Sequence, residues 1–402
     1  FNAGVTYGGD LISSTAGTSN FVAGVNAGNS ITSGGSRNTL VGDEAGTNIG
    51  DNDDNTAFGY QALTADTNGF KGTAVGRGAL ATQNYGSATD SYNVAVGHFA
   101  GNAVTTGVKN VLLGNNAGDS LTDADQNVVM GYEALATDTL GSKSTAIGTQ
   151  ALKTQNFSSA TDSYNTAVGF QSGFAVTTGA QNTFIGSLAG DANTIGNSNV
   201  ALGYNALGAN VSGDRTVAIG YGALAAQNNG TTTFDSNNVA VGYHAAVGIT
   251  TGTRNVAVGA DALATADDDG RNIAIGYAAL NLMNTGNSTP YNIAIGYNAG
   301  ASITTALQNT LLGALAGDGL QAGGENVALG YEALTDSSAS TGNTVVGHQA
   351  MANMADGDSN VAVGKLAMFG GSSSDANNNV AIGSQALRLT TTGSNNVAVG
   401  FT

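Results

Sequence analysis

Asn93-Val94-Ala95-Val96-Gly97 is a five-residue word that the rest of the chain repeats. It returns as Asn165-Thr166-Ala167-Val168-Gly169, Asn255-Val256-Ala257-Val258-Gly259, Asn292-Ile293-Ala294-Ile295-Gly296 and Asn396-Val397-Ala398-Val399-Gly400. The closing glycine falls at 22 positions from Gly24 to Gly400, and fifteen of the 21 spacings are 17 residues. A short period with small insertions marks a solenoid in which each copy is one coil and each insertion a loop. The expected fold is all-β, a parallel β-roll or β-solenoid of about 22 coils, running as one repetitive rod over residues 1–402 with an atypical first coil at 1–19.

A second period overlies the first. The long spacings end at Gly97, Gly169 and Gly242 and group the coils in fours, so that Gly97 to Gly169 is one block and Gly169 to Gly242 the next. After the motif glycine, the first two coils of a block read Ala-Gly (Ala100-Gly101, Ala117-Gly118) and the next two Ala-Leu (Ala134-Leu135, Ala151-Leu152). The leading Asn is present in 19 of 22 copies, and its exceptions Gly72, Ser144 and Thr216 recur once per block, each in the fourth coil.

Within a coil, a β-branched or aliphatic residue follows Asn and another precedes Gly, so the pair shares one face of a strand. The residue between them, mostly Ala, faces the other way. Two apolar faces imply that both are covered. The expectation is that the bulky pair fills the roll, that the Ala column lets a neighbouring chain approach, and that three chains pack side by side. The motif Gly is read as a turn that needs a backbone geometry other residues resist. The Ala three residues later is expected to start a second short strand, continued by Leu63, Leu80, Leu135 and Leu152. With coils about 4.8 Å apart, the rod would be roughly 100 Å long.

Composition excludes several function classes. Eleven Lys and Arg against 28 Asp and Glu leave a net charge of −17. Nucleic acid and anionic membranes call for a basic footprint, so neither is expected as a partner. No 18-residue apolar run exists to span a membrane. The absence of Cys excludes disulfides and thiolate sites. The chain starts at Phe1 without a Met or leader-like segment and stops two residues after a motif Gly, which reads as a piece cut from a longer protein.

Copies such as Asn55-Thr56-Ala57-Phe58-Gly59-Tyr60-Gln61-Ala62-Leu63 and Asn326-Val327-Ala328-Leu329-Gly330-Tyr331-Glu332-Ala333-Leu334 resemble the "NTAVGYQAL" repeats of phage tail fibres. They are also similar to the "SVAIG" coils in the heads of trimeric autotransporter adhesins. The resemblance covers roughly residues 20–400. It implies a homotrimeric, left-handed parallel β-roll, located extracellularly, at a cell surface or on a virion, and acting as an adhesive rod. The 17-residue coil is longer than the adhesin-head coil, which favours the fibre-type relative.

Candidate sites follow from the columns. Asn38, Asn55, Asn93, Asn110, Asn127, Asn165, Asn182, Asn199, Asn238, Asn255, Asn272, Asn292, Asn309, Asn326, Asn343, Asn360, Asn379 and Asn396 are read as a structural amide ladder. Tyr60, Tyr132, Tyr204, Tyr221, Tyr243, Tyr277, Tyr297 and Tyr331 follow the motif Gly. They are candidates for stacking on a glycan, set against a favoured reading as a lid over the coil edge with hydroxyls in water. The acidic loops Asp51-Asn52-Asp53-Asp54 and Asp267-Asp268-Asp269 suggest calcium, but neither has a calcium loop's spacing, so solvated loops are preferred and no cofactor is expected. The insertions at residues 83–90, 155–162 and 227–230 are recognition loops or tolerated decoration, with the sequence even between the two. His98, His244 and His348 stand in separate coils without a nucleophile or carboxylate constellation, and no enzyme is expected.

The functional expectation is a structural and adhesive shaft that presents a receptor-binding end or loop face to a cell-surface glycan or other receptor. The alternatives are an end-to-end extracellular filament and an ice- or glycan-binding solenoid. The sparse Thr pairs (Thr105-Thr106, Thr177-Thr178, Thr250-Thr251, Thr304-Thr305) weaken the ice reading.

Overall fold

The computed structural model describes residues 15–228, 230–232, 234–286, 289–370, 376–389 and 393–402. The chain divides into two compact units, Phe1–Asn182 and Thr183–Thr402. Each unit is a parallel β-solenoid, and between them they carry about 22 coils at the spacing of the motif, with no helix among the described residues. Within each unit, every coil contributes one three-residue strand that pairs in register with the strand of the next coil. Val94–Val96, for example, lies along Val111–Leu113 and sets Ala95 opposite Leu112.

The coil from Gly97 to Gly114 shows how so short a loop closes. After the strand, the Ala100 N–H donates to the Gly97 carbonyl at 3.4 Å, and the Val104 N–H to the Gly101 carbonyl at 3.1 Å, giving two successive tight turns. Three corners adopt left-handed backbone, at Phe99 (φ 56°), Gly101 (φ 57°) and Lys109 (φ 60°). The same three places are left-handed in coil after coil and are filled mostly by residues other than glycine. The second strand expected at Ala62-Leu63 and its equivalents is therefore replaced by a corner, with Leu63 at φ 52°. Short second ladders form elsewhere, at the insertions. Gly69–Phe70 pairs with Thr89–Asp90 and Gly141–Ser142 with Thr161–Asp162 in the first unit; Gly213–Asp214 pairs with Phe234–Asp235 in the second.

The sidedness of the strand is the reverse of the expectation. The middle residues, among them Ala57, Ala74, Ala95, Leu112 and Ala146, are fully buried inside the coil, and the bulky flanking residues point outward. Phe58 is 55% exposed and Leu202 42%. The reason is volume. So short a coil encloses a thin core, and the leucines at the second left-handed corner (Leu63, Leu80, Leu135, Leu152) already occupy it, leaving the strand room for Ala only. Where that corner is glycine, the strand supplies the bulk. A Cβ on Gly101 would stand 2.5 Å from Leu112 Cδ1, and one on Gly190 would stand 2.6 Å from the Phe184 ring. One bulky strand residue thus fills the space at two glycine corners, as Leu112 does for Gly101 and Gly118 and Leu311 for Gly300 and Gly317.

Candidate binding surface

Inside each unit, the Asn column is a set of clamps. Asn110 Oδ1 accepts the Asn127 backbone N–H at 2.9 Å, and Asn110 Nδ2 donates to the Ala124 carbonyl at 2.7 Å. Asn55, Asn93, Asn127, Asn238, Asn255, Asn309, Asn326 and Asn343 donate in the same way to a carbonyl 14 residues on. Every Asn of the column is buried except Asn396. The sequence suggests an amide ladder in which each side chain bonds to the coils above and below. The observed bonds run chiefly from amide to backbone, so each Asn fixes both the start of a strand and the end of the preceding loop.

Sequence reasoning missed what replaces Asn at Gly72, Ser144 and Thr216. A buried Gln one loop further on serves the vacant place. Gln83 accepts from Asn93 Nδ2 at 2.9 Å and donates to Asp66 Oδ2 at 2.7 Å. Gln155 accepts from Asn165 at 2.9 Å and donates to Ser144 Oγ at 2.9 Å and to Asp138. Gln227 accepts from Asn238 at 2.8 Å and donates to Thr216 and Ser236. The signal was present: these glutamines recur once per block and open the insertions.

Asp66 sits in this network fully buried. Burial raises its pKa above the ordinary 3.8, against the opposing pull of hydrogen bonds from Gln83 and from the Gly69 and Asn68 backbone. A raised carboxyl contributes stability that is complete below 3.8 and is lost as pH rises through its folded value. In the second unit, Asn210 holds the matching corner, accepting from the Gly213 N–H at 2.9 Å. Asp66→Asn is therefore expected to raise the urea midpoint at pH 7 and to remove the part of the acid-side gain due to Asp66. Midpoints of both proteins between pH 4 and 7, compared as a difference, test this, and a constant difference would contradict it.

Outside, two features dominate. The first is the outward strand face, a column of Thr, Val, Ile, Leu, Phe and Met side chains in which no residue is charged. The second is the tyrosine column. All eight tyrosines are close to half exposed, from 42% at Tyr60 to 54% at Tyr297. In the second unit they stack on one another: Tyr204 on Tyr221 with ring centroids 5.3 Å apart, Tyr221 on Tyr243 at 5.5 Å, and Tyr277 on Tyr297 at 5.4 Å. Tyr204, Tyr221, Tyr243, Tyr277 and Tyr297 thus cover part of one another's faces while each stays about half exposed. His244 and His348 join the column, beside Tyr243 (3.9 Å) and Tyr331 (5.3 Å). His98 packs on Phe99 in the first unit.

The insertions are pinned by exposed ion pairs. Lys71 bonds Asp90 and Tyr92, Lys143 bonds Asp162 and Tyr164, and Arg215 pairs with Asp235. Of the third insertion, Asn229 lies outside the described residues. The acidic loops have partners within the protein. Asp53 and Asp54 bind Arg37, Asp267 accepts from Thr250, and Asp269 from Thr285. Among the described residues, no group of three or more His, Asp or Glu could hold a metal ion, and no helix is long and apolar enough to cross a membrane.

Fold and surface together define a parallel β-solenoid repeat protein. No known protein family matches the sequence, and neither does any curated protein.

Proposed function

We propose that the chain is the shaft of an extracellular or virion-borne fibre, of tail-fibre or surface-adhesin type, in which copies lie side by side, three together, and hold a receptor-binding end or lateral face away from the body. The observation that carries this reading is the uncharged outward strand face. A chain of net charge −17 repels its own copies over most of its surface, and this face is where they can approach without like-charge repulsion. In the second unit, thirteen strands at ~4.8 Å each make a strip roughly 60 Å long and about 10 Å wide, so roughly 600 Å². With the flanking tyrosines, that approaches the ~800 Å² per partner of a standard interface.

The mass in solution, measured by light scattering, is expected to be three times the 39.5 kDa of one chain. Val256→Lys with Val258→Lys, two outward positions, should shift it toward one chain while leaving the β-rich circular dichroism unchanged. A single-chain mass for the unaltered protein over a hundredfold concentration range would overturn the reading.

A further inference from the structure

Two residues before the column Asn, the backbone N–H of several coils is met by a carboxylate 17 residues further on. Ser36 donates to Asp53 Oδ1 at 2.6 Å, Val108 to Asp125 at 2.8 Å, Asn197 to Asp214 at 2.6 Å and Thr341 to Asp358 at 2.8 Å. Where an arginine follows, one carboxylate can serve both groups: Asp53 Oδ2 also accepts from Arg37 Nη2 at 3.1 Å. Thr253-Arg254 in the second unit repeats Ser36-Arg37. Both arginines stand at φ 60°, and each bonds its own N–H to a carbonyl of the preceding coil, Arg37 to Thr18 and Arg254 to Ser236. The residue 17 further on, however, is Gly270. Among the described residues, the Thr253 N–H therefore finds no acceptor and Arg254 no carboxylate. The next coil repeats the vacancy at the Gly270 N–H and at Arg271, whose guanidinium lies 5.7 Å over the Tyr291 ring. Leu307 and Gly324 also lack such an acceptor, but Gln308 and Glu325 follow them, so no cation stands beside them.

We propose that Thr253, Arg254 and Arg271 form a site for the carboxylate of an acidic ligand from solution, seated as Asp53 seats its own carboxylate in the first unit. The site does not depend on the fibre reading. Asp53 shows the chemistry the place selects: one oxygen takes a backbone N–H and the other a guanidinium, both in charge-assisted bonds. A planar carboxylate matches that pair of donors. Arg254 is exposed and Thr253 half-buried, as are Arg37 and Ser36, so the place is open to a ligand. Arg271, one coil on, adds a second positive charge that no carboxylate of the protein neutralises. Opposing the ligand are Asp267 and Asp268, in the loop before Gly270, and the net charge of −17. Asp267 already accepts from Thr250. The balance predicts weak binding, on the order of millimolar for a single carboxylate.

The chain has six arginines, so NMR of the full chain labelled with 15N-arginine follows each of them. Acetate, titrated at constant ionic strength, is the probe, and acetamide is the uncharged control of the same shape. The Arg254 signals are expected to shift and saturate with acetate but not with acetamide. Those of Arg37 should stay in place, because Asp53 and Asp54 already hold it. Arg271→Gln should weaken acetate about threefold, as the loss of one exposed charge allows. Gly270→Asp supplies the carboxylate from within, so acetate should no longer move Arg254. Neither Gly270 nor Asp53 has left-handed backbone, so this variant should melt at an unchanged temperature. If it does not fold, Arg271→Gln carries the test alone. A still Arg254, equal shifts at Arg37 and Arg254, equal shifts with acetamide, or an unchanged acetate affinity in Arg271→Gln would overturn the proposal. Light scattering on the same samples reports the side-by-side packing separately.

Discussion

Gly114→Ala is expected to cost the first unit about 3 kcal/mol or more, from left-handed backbone strain and forced overlap together. Two independent constraints meet at this residue. Its φ is +134°, a conformation that side-chain-bearing residues rarely adopt. A Cβ there would also stand 2.5 Å from the carbonyl oxygen of Gly131, the equivalent residue of the next coil. That neighbour is backbone held in the ladder, so it cannot swing aside as a flexible side chain would. Relief requires the two coils to separate, which breaks the pairing of Val111–Leu113 with Val128–Met130. Gly86 is the control. It lies in an insertion with an ordinary φ and nothing within 4 Å of its Cβ position, so Gly86→Ala should change stability by less than ~0.5 kcal/mol. Urea midpoints of the two variants make the comparison. Because solenoids lose order locally, hydrogen exchange should rise first in the coils that flank Gly114. Equal midpoints would mean that the coils are not stacked glycine on glycine.

Motif glycines were legible in the sequence because a repeated Gly at one place in a coil has few physical causes. The same holds for the coil count, the parallel in-register strands and the groups of four. The strand's sidedness was not legible. Hydrophobicity places bulky Val96 inside and small Ala95 outside, and it is the coil's diameter, invisible in one strand, that inverts them. What the sequence did hold was the compensation: Leu40, Leu112 and Leu311 each stand between two glycine corners, Gly28 and Gly46, Gly101 and Gly118, and Gly300 and Gly317. The missing second strand has a different cause. Leu in left-handed backbone is uncommon enough that no residue-by-residue reading places it at a corner. The ladder's three gaps could be located but not explained, since Gln83 lies ten residues before the Asn93 it bonds.

Asn127→Leu, nearly isosteric, should cost the first unit about 3–5 kcal/mol, from the buried backbone groups it leaves unpaired at ~1–3 kcal/mol each. Asn127 Oδ1 accepts the buried Ser144 N–H at 2.8 Å, and its Nδ2 donates to the Gly141 carbonyl at 3.0 Å and to Asn110 Oδ1 at 3.2 Å. None of these groups has water to turn to. Asn396 offers a contrast in the same column of the second unit. It donates to Asn379 Oδ1 at 3.0 Å but is exposed, so Asn396→Leu should cost below ~1 kcal/mol. Gln155→Leu should behave like Asn127→Leu although it lies outside the column, because Asn165, Ser144 and Asp138 would all lose a partner. If Ser144→Asn is then added to Gln155→Leu, the new amide enters the space Gln155 has left and can meet the Asn column directly. Part of the loss should return, by an amount that a double-mutant cycle isolates. Recovery would mean that Gln and Asn are alternative ways of closing one clamp, and that the four-coil period persists because each block carries its own Gln. A loss for Asn127→Leu no larger than that for Asn396→Leu would show instead that the coils keep their register through the strand ladder alone.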